Sequence, residues 1–142
     1  MRSALAALAG VGVVAFFLAW NLGWIKLGKP EPAPTLHVGC PDLSRGCAVL
    51  VNGERYRLRS AAPLSGARPV DLTLEGRNIQ SASVSWQMQG MEMGPNQFRF
   101  QRNGERWQVQ SALPLCSQNR LDWLLTLHID QITVLINTVS ER

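Results

Sequence analysis

The chain has 142 residues with 14 Lys and Arg against 10 Asp and Glu. Setting aside Arg2 and Lys26, which flank an apolar N-terminal run, leaves twelve basic against ten acidic residues, and this near balance excludes the basic footprint of a nucleic-acid binder. The length allows one domain and a terminal appendage, and the arginines of the domain (Arg55, Arg57, Arg59) alternate as on the solvated face of a sheet.

From Ser3 to Ile25 the one side chain with strong hydrogen-bonding needs is Asn21. As a helix, these residues would measure roughly 34 Å, enough to span a bilayer. The run ends Leu18-Ala19-Trp20-Asn21-Leu22-Gly23-Trp24 without the small-residue pattern of a signal-peptide cleavage site, so an uncleaved transmembrane anchor over residues 1–27 is expected. Flanking charge does not orient it, with Arg2 on one side and Lys26 and Lys29 on the other. Three cysteines in a small β-rich chain suit an oxidising compartment, and Trp20 and Trp24 fit an outer aromatic belt. The C-terminal part is therefore expected outside a bacterial inner membrane, in the periplasm.

Residues 28–36 contain Pro30, Pro32 and Pro34 and read as an extended spacer. Residues 37–142 read as the domain. Near its start stand His37, Cys40 and Cys47, and the short separation of the two cysteines predicts a disulfide. Cys47–Val51 and Glu54–Arg59 alternate on either side of Asn52-Gly53, the strongest short hairpin signal. Further alternating runs cover Val70–Glu75, Ser81–Met88, Gln97–Gln101, Arg106–Gln110, Asp122–Asp130 and Ile132–Val139, with Asn103-Gly104 as a second hairpin turn. About seven short strands without an amphipathic helix predict an all-β sandwich. Its inner faces would carry Phe98, Phe100, Trp107, Val109, Trp123, Leu125, Leu127 and Ile129.

The chemistry centres on Trp86-Gln87-Met88-Gln89-Gly90-Met91-Glu92-Met93-Gly94-Pro95-Asn96, which holds every methionine except the initiator. Met88 continues the alternation of Val84 and Trp86 and reads first as core. Met91 and Met93 follow the break at Gly90 and share one side of an extended segment. Thioethers on an exposed loop suit copper(I), which selects sulfur, although methionine-rich surfaces also bind proteins. Cys116, the odd cysteine, lies in a polar loop and is a candidate further ligand beside Met88. His37 and His128 are isolated, the latter on the face opposite Leu127 and Ile129. No nucleophile elbow, zinc-binding helix motif, phosphate loop or paired carboxylates occur, so the chain does not read as an enzyme.

The segment Val70–Asp130 resembles the FixH/YtkA-like family through Met91-Glu92-Met93-Gly94, Asn103-Gly104-Glu105-Arg106-Trp107, Leu113-Pro114-Leu115-Cys116 and Asp122-Trp123-Leu124-Leu125. The resemblance implies a membrane-anchored, immunoglobulin-like extracytoplasmic domain linked to copper handling and to haem-copper oxidase assembly. It carries over to Met91 and Met93, with Cys116 as an addition. The chain departs from the pattern in Cys40 and Cys47 ahead of the sandwich and in lacking histidines near the methionine turn, which disfavours copper(II) more than copper(I). The expected function is a copper(I)-binding module that delivers copper to, or assembles, a respiratory oxidase subunit or other copper-accepting protein. The rival is an assembly subunit that uses the Met/Trp-rich loop as a contact surface without metal.

Overall fold

The computed structural model describes residues 2–21, 35–91, 93–115 and 119–142. The chain divides into two compact units, Met1–Pro32 and Ala33–Arg142. In the first, α1 covers Arg2–Asn21, where the absence of proline and of charge after Arg2 leaves the main chain free to close its own hydrogen bonds. Its side chains are described from Val11 onward, and Val11, Val13, Val14, Phe16, Phe17 and Leu18 are exposed. Asn21 folds back, its amide donating to the Phe17 carbonyl at 3.2 Å. Among the described residues no helix is long and apolar enough to cross a membrane.

The second unit is an all-β sandwich of two five-stranded sheets. Its strands are β1 (Thr35–Gly39), β2 (Cys47–Val51), β3 (Glu54–Ser60), β4 (Val70–Glu75), β5 (Ala82–Gln87), β6 (Phe98–Arg99), β7 (Gln101–Asn103), β8 (Arg106–Ser111), β9 (Asp122–Ile129) and β10 (Ile132–Val139). One sheet runs β1-β10-β9-β5-β6 and the other β2-β3-β4-β8-β7. β1 lies parallel to β10, and the other pairs are antiparallel.

The strands form where the alternation places them. β2 and β3 bury every second side chain, and their hairpin turns on Asn52 (φ 50°) and Gly53 (φ 81°). Positive φ at both central residues is the primed turn whose twist suits a hairpin. Ten strands stand where the sequence shows eight alternating runs and about seven strands are expected, and two features account for the step from eight to ten. β1, with only five residues, lies partly within the stretch read as spacer. Gln97–Gln101, read as one strand, changes sheets and runs on to Asn103: Phe98 and Arg99 pair with β5, the buried Phe100 donates to the Ala82 carbonyl at 2.9 Å, and Gln101–Asn103 pair with β8. The second hairpin also turns one residue later than expected, on Gly104 and Glu105, because Asn103 pairs with Arg106.

The core joins both sheets around Trp86, whose ring meets that of Trp123 edge-on at 6.3 Å between centroids and 85°. Each indole donates to a buried serine, Trp86 to Ser111 Oγ at 3.1 Å and Trp123 to Ser140 Oγ at 3.0 Å. Both rings thus combine apolar packing with a satisfied N–H. Phe100, Trp123, Leu125, Leu127 and Ile129 are buried as expected, whereas Phe98, Trp107 and Val109 are only half-buried. These three lie on β6 and β8, toward the edge where short β6 and β7 give little cover.

Candidate functional site

β5 ends at Gln87, opposite Leu124 at the start of β9, and the chain then turns back on itself. Met91 N–H donates to the Met88 carbonyl at 3.2 Å, with Gly90 at φ 78°. This is the four-residue turn that needs a left-handed third residue, so glycine there is a geometric requirement. Met88 is 2% exposed and belongs to the core, as its alternation with Trp86 predicts. Met91 and Met93 are half-buried and pack against that core. Glu92 and Cys116 lie outside the described residues.

Two side chains from outside the turn hold it. The Asn96 carboxamide lies along the edge of β5 beyond the reach of β6, accepting from Trp86 N–H at 2.7 Å and donating to the Trp86 carbonyl at 2.9 Å and the Gly94 carbonyl at 3.1 Å. It occupies the hydrogen-bonding place of a neighbouring strand residue. Arg120, on the connection from β8 to β9, donates through Nη1 to the Gln89 carbonyl at 3.1 Å. Its Nε reaches Asp122 Oδ1 at 3.0 Å and its Nη2 reaches Oδ2, a paired contact that fixes the guanidinium plane. The Arg120 hydrogen bond holds the Asp122 carboxyl below its ordinary range. Arg120 thereby ties the start of β9 to the methionine turn.

The same end of the sandwich bears the Cys40–Cys47 disulfide, with Cα atoms 5.9 Å apart. It joins the end of β1 in one sheet to the start of β2 in the other. Between them Asp42 Oδ1 caps a short 3-10 turn by accepting from Ser44 N–H at 3.0 Å, and the Ser44 hydrogen bonds lower the Asp42 pKa. Thr35, where the chain enters the sandwich, lies at the opposite end, since β1 runs toward Cys40. His37 is exposed on β1, and His128, half-buried, contacts Thr133 Oγ1 at 3.2 Å.

Among the described residues no group of three or more His, Cys, Asp and Glu side chains is placed to hold a metal ion. A soft ion at this end would therefore depend on thioethers. Asn96 and Arg120 escape a reading of the sequence because their partners lie 10 and 31 residues away. The one local signal is Pro95-Asn96, which marks a turn but not the reach of the amide. No family model, curated protein or solved structure matches the chain.

Proposed function

We propose that this chain is a membrane-anchored copper(I)-binding module of the bacterial periplasm, in which Met91 and Met93 provide thioether ligands and Met88 or Cys116 a third sulfur. The observation that carries this reading is the turn itself: two half-buried methionines on a short segment pinned by Asn96 and Arg120, at the end opposite Thr35. Copper(I) accepts such soft ligands without imidazole. The support for an anchor is in the sequence: the apolar run from Ser3 to Ile25, at ~1.5 Å per residue as a helix, would have the length of a single span. The strand order supports an immunoglobulin-like sandwich. Trp86 takes the part of the buried core tryptophan of such domains, and Trp123 packs against it where they carry an inter-sheet disulfide. Together with the motifs shared with the FixH/YtkA-like family, this favours copper delivery or oxidase assembly as the role.

Titration of the full chain with copper(I) against a competing chelator tests the site. Met91→Leu with Met93→Leu conserves volume, so stability should fall by less than ~1.5 kcal/mol. Affinity should fall by roughly tenfold or more, the ~1.4 kcal/mol that marks a real ligand loss. No binding by the parent, or equal binding by the double variant, would replace this reading by a metal-free contact surface. That second reading is favoured by the packing of both methionines against the core and by Leu115, 96% exposed on the neighbouring connection.

A further inference from the structure

The two sides of the sandwich protect their sheet edges unequally. On one side the outer strands are β6 and β7, of two and three residues, each carrying an arginine (Arg99 and Arg102). Shortness and charge are the usual means of preventing strand addition. On the other side β2 is the last strand of its sheet, with five residues, Cys47-Ala48-Val49-Leu50-Val51, and neither charge nor proline. Leu50 is 63% exposed there.

The hairpin determines which main-chain groups of β2 face outward. Across a two-residue turn the flanking pair, Val51 and Glu54, exchanges both hydrogen bonds, and the pattern alternates along the ladder. Val51, Val49 and Cys47 therefore bond to β3, while the N–H and C=O groups of Ala48 and Leu50 point away from the sheet. Among the described residues no backbone partner outside β3 is found for Cys47–Val51.

We propose that this edge pairs antiparallel with β2 of a second copy, about a two-fold axis at Val49. That register makes Ala48 and Leu50 directly opposed and lets each pair exchange two main-chain hydrogen bonds. It also sets a small outward side chain against a large one, and Val51 against Cys47 on the inner face. Arg55 beside Leu50 and Arg57 beside Ala48 then lie three strand spacings from their counterparts, ~14 Å, beyond the ~10 Å screening length at 0.1 M salt. Like charge therefore does not oppose the pairing. The other long edge is less suited, because a two-fold at the middle of β1 opposes His37 to itself. Two five-residue strands bury an area of the size found in weak contacts, so the pairing rests on the membrane-anchored reading for its effective concentration.

The test uses the full chain in phosphatidylcholine vesicles, with Cys116→Ser in every variant. Ala48→Cys chains mixed with Leu50→Cys chains are treated with dibromobimane, whose reach matches the ~5 Å between opposed Cβ atoms. The expected result is a covalent dimer at several times the yield given by mixed Arg57→Cys and Arg59→Cys chains. Equal yields, or no dimer from chains that remain with the vesicles after alkaline carbonate, would overturn the pairing. Release by carbonate would instead remove the anchored reading. The same crosslinking at raised protein concentration in solution then decides the edge, where absence of the Ala48–Leu50 product overturns it.

Discussion

At the near end of the sandwich, where the chain enters at Thr35, three hairpins turn on two residues each: Asn52–Gly53, Gly104–Glu105 and Asp130–Gln131. At the far end the connections 61–69, 88–97 and 112–121 are long, and bonds between distant residues hold them: Glu141 to Leu64, Asn96 to Trp86, Arg120 to Gln89. A tight turn carries its geometry in its own residues, as Asn52 and Gly53 do through positive φ. A long connection must offset ~1–2 kcal/mol of backbone entropy for each residue it orders, and it draws the compensation from side chains elsewhere. Met88, Met91 and Met93 lie at the end built in the second way, where position can be adjusted without disturbing a ladder.

Removing the support beneath the far end should have the largest effect. Trp86→Ala deletes the largest fully buried side chain, its edge-on contact with Trp123 and its bond to Ser111, and should cost ~3–5 kcal/mol in urea unfolding. A loss under ~1 kcal/mol would mean that the tryptophan pair does not carry this end. Asn96→Leu is the narrower cut: it leaves the Trp86 N–H and C=O without their carboxamide partner and should cost ~1–3 kcal/mol. Amide exchange should rise from Gln87 to Gln97 while the near-end hairpins keep their protection; uniform loss of protection would show that the two ends are not separable.

The smallest effect belongs to Asp122, whose pairing with Arg120 is solvent-exposed. Because Arg120 lowers the folded-state pKa, the contribution is present above the ordinary carboxylate value and lost as pH falls through the depressed one. NMR titration should show the Asp122 carboxyl protonating below the ordinary aspartate range, with the Gln89–Met91 amides shifting in the same window. In Asp122→Asn that shift should be absent. Amides at Asn52 and Gly53 that followed the same titration would break the contrast between the ends.

The sequence was legible wherever the physics is local. Alternation located the core strands and the burial of Met88, Asn52-Gly53 located a hairpin, and the short Cys40–Cys47 separation fitted the bond that forms. β1 was missed because five residues beside a proline-rich stretch show little period, and its partner β10 lies almost a hundred residues on. Trp107 and Phe98 alternate like core residues yet are half-buried, since their cover depends on the length of β6 and β7 rather than on their own strands. At the candidate site the methionines stood out by composition. The Asn96 and Arg120 contacts that hold the turn did not, because they join residues with no local pattern in common.

The parallel pairing of β1 with β10 also has a mechanical side. Tension applied to the chain at Thr35 runs along the β1 axis, so the rungs from Thr35–Thr133 to Gly39–Asn137 share the load in shear instead of opening one by one as a zipper does. Should β1 strip away, the slack released ends at Cys40, where the covalent bridge passes the pull to Cys47 and so to the other sheet. The disulfide is thus a stop on a tether: the first strand can yield while the end that holds the methionine turn keeps its shape.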